Sequence, residues 1–213
     1  AFAISIGVVT LFNIGGRATS VKLLLAGMAL SSLCSAFSNF IVYFSNDQDG
    51  MKTVSYWMMG SLGGASWENN AIVVPISILG VLFFWTQYRT LNLMLLGDES
   101  AITLGTDLHP WRQLYLLVSS LMVGFAVYCA GVIGFVGLVI PHVVRMLFGT
   151  DHKKLIPLCA LVGAIFLIWA DVFCRVIITG MELPIGILTS MIGAPVFIWL
   201  MVRKKYGFGG KES

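Results

Sequence analysis

Long apolar stretches, separated by short polar segments, run along almost the whole chain. Five of them are long enough for a membrane-crossing helix, which needs about 20 residues. They cover residues 23–47, 69–88, 113–144, 155–180 and 183–202. The apolar start, residues 1–12, has the pattern of one more helix end. The pattern predicts an all-α, polytopic bundle with about six to seven transmembrane helices.

The stretch 113–144 is too long for one straight crossing. Glycines at 131, 134 and 137 and a proline at 141 interrupt it, and both residue types weaken helices. We predict one crossing that ends near residues 131–134 and a shorter helix after it. Pro141 indicates a further break, where His142 is expected to hydrogen-bond the backbone that the break frees.

The composition supports a membrane protein. Of 213 residues, 58% are hydrophobic and 11% are charged, whereas soluble domains carry roughly 25% charged residues. The net charge is only +3, and no basic patch with interleaved aromatic residues suggests nucleic-acid binding. The four cysteines form no metal-binding spacing, so we expect buried apolar roles for them and no metal site.

Basic residues divide the loops into two groups. Loops 13–22, 87–112, 145–154 and 203–213 together hold 11 Lys and Arg residues, whereas loops 46–70, 131–134 and 181–182 hold only Lys52. Cytoplasmic loops are enriched in Lys and Arg. The first group and the C-terminus are therefore predicted to be cytoplasmic, and His109 and His152 in these loops are expected to be solvated.

Two loops are longer than connectors need to be. The external loop 46–70 carries Tyr56 and Trp57 before several glycines, a pattern that predicts a short interfacial helix and a tight turn. The cytoplasmic loop 88–112 predicts two short helices, the second opened by Asp98 and Glu99. This second loop suits a protein partner; the alternative is a helix lying on the membrane.

Five blocks of the sequence carry a family resemblance. They read "LLLAGMALSSLCSAFSN", "YWMMGSLGGASW", "LNLMLLGDESAITLG", "GFVGLVIPHVVRMLFGTDHKKLIP" and "WADVFCRVIITGMELPIGILTSMIGAPVFIWLM". In this order they resemble the FecCD-type permease family, the membrane subunits of bacterial importers for iron-siderophores, heme and vitamin B12. The resemblance covers essentially the whole chain. It implies the C-terminal two thirds of a ten-helix permease, with the first three helices and most of the fourth absent.

The resemblance implies a permease subunit of an ATP-binding-cassette importer in a bacterial inner membrane. Such a subunit moves an iron chelate (siderophore or heme) or cobalamin into the cytoplasm by alternating access. Its implied partners are a second copy of itself, cytoplasmic ATPase subunits and an extracytoplasmic substrate-binding protein. Because the sequence contains no P-loop, we expect no enzyme activity and no bound cofactor, with ATP and Mg²⁺ used by the partner ATPase.

The resemblance also implies roles for particular residues within one transmembrane domain, residues 1–213. A cytoplasmic segment, residues 89–112, is expected to couple to the ATPase. The residues implied in coupling are Gly97, Asp98, Glu99, Ala101 and Gly105. Those implied at a cytoplasmic gate are Arg17, Thr19 and Ser20. The helices at 23–44 and 183–202 are expected to line the substrate path.

Two charged residues lie within an apolar stretch. Asp171 and Arg175 are four residues apart, so they share a helix face and can form a structural ion pair. The resemblance offers another interpretation, in which Arg175 and Glu182 dock the substrate-binding protein at the external mouth. Glu182 is also a candidate cap for the last helix.

Two other classes of function remain as alternatives. In an ion-coupled secondary transporter, Asp171, Arg175 and His142 would form a proton relay, and transport would need no ATPase. An intramembrane enzyme would need paired catalytic groups on facing helices, and the sequence offers no such pair.

Overall fold

The computed structural model describes residues 20–45, 48–177 and 182–203. Every regular element in these ranges is an α-helix. The helices are α1 (Ser20–Ser45), α2 (Gln48–Met59), α3 (Trp67–Thr86), α4 (Tyr88–Leu95), α5 (Asp98–Thr103), α6 (His109–Ala130), α7 (Val136–Phe148), α8 (His152–Val176) and α9 (Ile185–Arg203).

Four of these helices are long and apolar enough to cross a membrane. They are α1, α3, α6 and α8, whose apolar segments run over 20 to 25 residues. α7 and α9 are apolar but shorter. These six helices confirm the predicted all-α, polytopic bundle, and the additional helix end predicted at residues 1–12 lies outside the described residues.

Helix α8 is the centre of the packing, since it contacts α3, α4, α7 and α9. One buried cluster joins α7 to α8 through Ile140, Val144 and Leu155. A second joins α8 to α9 through Cys174 and Ile185, together with Ala170. Because most large apolar side chains outside these clusters are exposed, the outer surface of the bundle suits lipid rather than water.

The predicted interruption between α6 and α7 is confirmed. α6 ends at Ala130, Gly131 caps it with a positive φ of 69°, and α7 begins at Val136. The break predicted at Pro141 is wrong, because α7 continues through that residue. A proline removes one backbone donor without necessarily ending a helix, and membrane helices tolerate this. The break that His142 was expected to satisfy is therefore not present in α7.

Candidate functional site

Three chain segments approach each other closely at one end of the bundle. They meet at Gly60, Gly131 and Gly186, which we call the glycine junction. A Cβ atom on Gly131 would overlap the carbonyl oxygen of Trp57, and one on Gly186 would overlap that of Met59. The obstacles are backbone atoms, which cannot move aside as a side chain can. Glycine is therefore required where these segments cross.

The glycine junction agrees with the predicted grouping of three loops at one end of the bundle. The loops 46–70, 131–134 and 181–182 were all predicted to lie on the external side. Gly60, Val132 and Glu182, one described residue from each loop, lie at this end of the bundle. Ser61 donates its backbone N–H to the carbonyl of Ala130 over 2.9 Å. A Cβ on Gly60 would lie only 2.7 Å from the carbonyl oxygen of Val132. The short helix predicted in the external loop is α2.

The segment between α6 and α7 contains an unusual backbone conformation. Phe135, the residue before α7, has a φ of 64°, in the left-handed region that side chains other than glycine rarely adopt. Its side chain lies so close to Gly193 in α9 that a Cβ there would overlap it. α9 therefore covers this irregular segment, as a membrane requires of backbone outside a helix.

An ion group lies near the same end of the bundle. Arg175 Nε contacts Asp171 Oδ2 at 2.8 Å, which confirms the predicted pair. A second guanidinium nitrogen, Nη1, lies 3.6 Å from Glu182 Oε1. Together the three residues carry a net charge of −1.

The prediction that Glu182 caps the last helix is wrong. It lies three residues before α9 begins at Ile185, so it is not the N-cap residue of that helix. Its carboxylate instead occupies the space above Gly63, where an added Cβ would lie 2.7 Å from Glu182 Oε2. Residues 60–66 and the start of α9 are thereby linked through the ion group.

The predicted coupling segment lies at the opposite end of the bundle. α4 and α5 are the two short helices predicted there, and Gly97 and Gly105 flank α5 with φ values of 90° and 79°. Ala101 between them is fully buried, and its carbonyl accepts the N–H of Thr106 over 3.0 Å. The segment is thus a small folded unit, in which the backbone conformation explains both glycines and burial explains the alanine.

Some predicted residues cannot be placed in full. Asp98 and Glu99 are the first two residues of α5, but their side chains lie outside the described part of the chain. Arg17 and Thr19 of the predicted gate also lie outside it, and Ser20 is described only as the first residue of α1. Their functional roles stay predictions.

A polar cluster that the sequence did not predict connects α4 to α8. It consists of Asn92, Asp151 and His152, and we call it the Asn92 clamp. Asn92 Nδ2 donates to Asp151 Oδ1 over 2.9 Å. Asn92 Oδ1 accepts from the backbone N–H of His152 over 3.0 Å and lies 2.7 Å from His152 Nδ1. One side chain of α4 therefore binds both residues that begin α8.

His152 was expected to be solvated, and this is wrong. The residue is only 9% exposed, although Lys153 and Lys154 follow it. Asp151 is the N-cap of α8 and accepts the N–H of Lys153 over 3.0 Å. Hydrogen bonds from Asn92 and from Lys153 stabilise the carboxylate and lower the pKa of Asp151. An Asp followed by an apolar-periodic segment was the available signal for this cap.

Aromatic residues strengthen the same contact. The indole Nε1 of Trp85, near the end of α3, donates to the carbonyl of Lys153 over 3.0 Å. The Lys153 ammonium lies 5.9 Å from the centre of the Tyr88 ring, within the range of a cation–π contact. Trp, Tyr and Lys at one level are typical of a membrane interface.

Comparison with known proteins identifies the family to which this helical bundle belongs. The FecCD transport family matches residues 1–203. The chain belongs to this family. Vitamin B12 import system permease proteins BtuC of Salmonella typhi and of Salmonella newport are 45% identical to it over 182 residues. That alignment covers 85% of this chain and 55% of each relative, so the chain spans about half the length of these FecCD-family relatives.

A solved structure supports the same assignment. It is described as a metal-chelate type ABC transporter in an inward-facing conformation, and the two chains superpose with a TM-score of 0.85 at 34% identity. The match covers 93% of this chain and 63% of the other. The resemblance inferred from the five sequence blocks is thereby confirmed, and so is the FecCD-type helical fold.

Proposed function

We propose that the chain is part of the permease subunit of an ATP-binding-cassette importer. The observation that carries the proposal is the family match over residues 1–203, together with relatives named as a vitamin B12 permease and a metal-chelate transporter. The cargo class is a metal chelate, either cobalamin or an iron chelate such as a siderophore or heme. The protein would lie in a bacterial inner membrane with its C-terminus in the cytoplasm, as the distribution of Lys and Arg favours.

The energy source would lie in a partner. ATPase subunits would dock on α5, the second helix of the coupling segment, with Asp98 and Glu99 on the first turn of that helix. The glycines at both ends of α5 and the buried Ala101 hold this segment in one shape. A compact segment of this kind can move as a rigid body, so a displacement of the ATPase reaches the membrane helices without deforming the segment. The permease would then alternate between outward-open and inward-open states.

The transported chelate would pass between two copies of the permease. α1 has the features of a helix that faces a partner, since its packing within the chain is mainly against α2 and its large apolar residues are exposed. Small residues along it would let another helix approach closely. They are Gly27, Ala29, Ser31, Ser32, Ser35 and Ala36. α9 would line the same path.

The substrate-binding protein would dock at the end that holds the ion group. Arg175 retains 45% exposure of its side chain and Glu182 retains 65%, so both are accessible to a partner. Because two carboxylates already neutralise Arg175, docking would exchange one carboxylate for another rather than create a new pair. Such an exchange favours specific recognition more than high affinity.

The experiment that tests the proposal measures uptake in cells that carry the full-length gene. Labelled cobalamin, ferric siderophore and heme are offered one at a time, with a wild-type or a Walker-motif variant of the partner ATPase. We expect uptake of one of these chelates, and its loss in the ATPase variant. Uptake that survives the ATPase variant but stops when the proton gradient is dissipated would instead support a secondary transporter that uses Asp171.

A further inference from the structure

The Asn92 clamp lies where the coupling segment meets the core of the bundle. We propose that Asn92 is the positioning residue that makes α8 follow the coupling segment, so that ATPase movements reach the membrane through this side chain. The inference rests on the proposed importer function and adds to it the residue through which the movement passes. Asn92 would not contact ATP or the cargo.

The hydrogen bonds of the clamp determine one arrangement of its groups. The Asp151 carboxylate only accepts, so Asn92 must present its NH₂ group to it. The backbone N–H of His152 only donates, so the amide oxygen of Asn92 must face it. His152 Nδ1, 2.7 Å from the same oxygen, therefore carries a hydrogen. The nitrogen and the oxygen of the Asn92 amide each have a defined partner at the start of α8.

The clamp joins two elements that are separate in sequence. Asn92 and His152 are 60 residues apart, and α4 contacts α8 directly. The bond between Trp85 and Lys153 holds α8 at a second point. α5 follows α4 after only Leu96 and Gly97. A shift of α5 therefore reaches the first turn of α8 through α4, because only two residues separate α5 from α4.

α8 can carry that shift across the bundle. With 25 residues it is about 38 Å long. Its far end packs Ala170 and Cys174 against Ile185 of α9 and bears the Asp171–Arg175 pair. The clamp thus stands at one end of a helix whose other end contacts both α9 and the ion group. Contacts between packed, rigid elements are the physical means by which distant sites can couple.

The structure also offers a competing route. α5 leads through residues 104–108 into α6, and Leu108 at that junction is only 3% exposed. Movement of the coupling segment can reach the membrane along α6 without the clamp. Alternatively, the clamp only stabilises the start of α8. The test must separate these two possibilities from a positioning role.

The test uses the full-length permease, assembled with its ATPase in proteoliposomes. It is supplied with the binding protein and with whichever labelled chelate (cobalamin, ferric siderophore or heme) the uptake experiment selects. Three quantities are measured: ATPase retained on the permease, ATP hydrolysed, and cargo imported per ATP. Asn92→Leu removes all hydrogen bonds of the clamp at similar side-chain size. We expect retained ATPase and hydrolysis near the wild-type level, with cargo imported per ATP lower by about tenfold.

A reciprocal exchange serves as the rescue. The double variant Asn92→Asp with Asp151→Asn places the carboxylate on α4 and the amide on α8. The introduced carboxylate can accept both N–H groups of His152 and the new amide, while asparagine remains a good helix cap. We expect cargo imported per ATP to recover to within about twofold of wild type. Asn69→Leu, the same change at the other end of the bundle, is the control and should leave the ratio unchanged.

Each outcome bears on the proposal. An unchanged ratio in Asn92→Leu would overturn it in favour of the α6 route. Loss of bound ATPase together with transport, or a ratio that the exchange fails to restore, would also overturn it, because the clamp would then be only structural. A wild-type protein that imports cargo without ATP would refute the proposed ATP-driven import itself, and this result is distinct from the other outcomes.

Discussion

The two ends of the bundle are held together by different kinds of contact. At the glycine junction, three segments cross because glycine allows backbone to touch backbone. At the Asn92 clamp, directional hydrogen bonds between side chains and a helix cap join α4 to α8. Steric contacts of the first kind admit one arrangement. Hydrogen bonds of the second kind can break and re-form, so the clamp end is better suited to a moving connection.

The largest effect on stability is expected at the glycine junction. Gly131→Ala and Gly186→Ala each place a Cβ against a backbone carbonyl oxygen, and overpacking of this kind costs about 3 kcal/mol. At Gly131 the positive φ adds strain. We expect the thermal midpoint of the full-length protein in detergent to fall by roughly 8 °C.

Gly137→Ala is the matched control for these variants. Nothing lies within 4 Å of a Cβ added at Gly137 in the part of the chain that the structure describes, and alanine favours helix over glycine. Its midpoint should stay the same or rise. A similar loss of stability in all three variants would show that the close approach at the junction is not the cause.

A smaller effect is expected at the clamp. Asn92→Leu leaves the backbone N–H of the buried His152 without its acceptor. The imidazole can carry its hydrogen on Nε2 instead, and the exposed Asp151 can turn to water. One unsatisfied buried group costs about 2 kcal/mol, so the midpoint should fall by roughly 5 °C, less than at the junction. The exchange of Asn92 and Asp151 should restore it. If Asn92→Leu were less stable than Gly131→Ala, the clamp would contribute more to stability than the glycine junction, contrary to our expectation.

Contacts between residues close together in the sequence could be predicted, whereas contacts between residues far apart in the sequence could not. The Asp171–Arg175 pair was predicted because a helix places such residues on one face, and the end of α6 was predicted from its glycines. His152 was expected in solvent because it was assigned to a cytoplasmic loop. Its partner Asn92 is 60 residues away, and no local pattern indicates that α4 lies across the start of α8.

The break predicted at Pro141 failed for a related reason. Proline interrupts a helix only when the lost hydrogen bond is not offset by surrounding contacts, and these depend on the tertiary fold. Ile140, which precedes Pro141 in α7, and Val144, about one turn after it, are buried in the cluster that joins α7 to α8. This packing holds the helix together where local propensity indicates an interruption.

A substitution in the ion group is expected to affect partner binding more than stability. Arg175→Gln removes both ion contacts of Arg175, which are partly exposed, and exposed ion pairs contribute about 0–1 kcal/mol. We expect the thermal midpoint to change by no more than about 2 °C. If Arg175 docks the substrate-binding protein, the affinity for that protein should fall several-fold in a titration of the permease with it. Unchanged affinity would leave Arg175 with a structural role only.

The smallest effect concerns pH. The pKa of Asp151 is lower in the folded protein than in an unfolded chain, so its contribution to stability is present above the unfolded value of about 3.9. That contribution is lost as the pH falls through the lower, folded value. The difference in thermal midpoint between wild type and Asp151→Asn should be constant from about pH 7 to pH 5 and shrink below about pH 4. A difference that changes near neutral pH would point to another titrating group.

The most direct test of the proposed importer function asks whether a partner ATPase binds the coupling segment. Asp98→Lys with Glu99→Lys reverses the charge on the first turn of α5, and the ATPase is then co-purified with the full-length permease from membranes. We expect the variant to insert at the wild-type level and to lose the ATPase. Insertion with unchanged ATPase recovery would contradict the assignment of this segment as the site where ATP hydrolysis is coupled to transport.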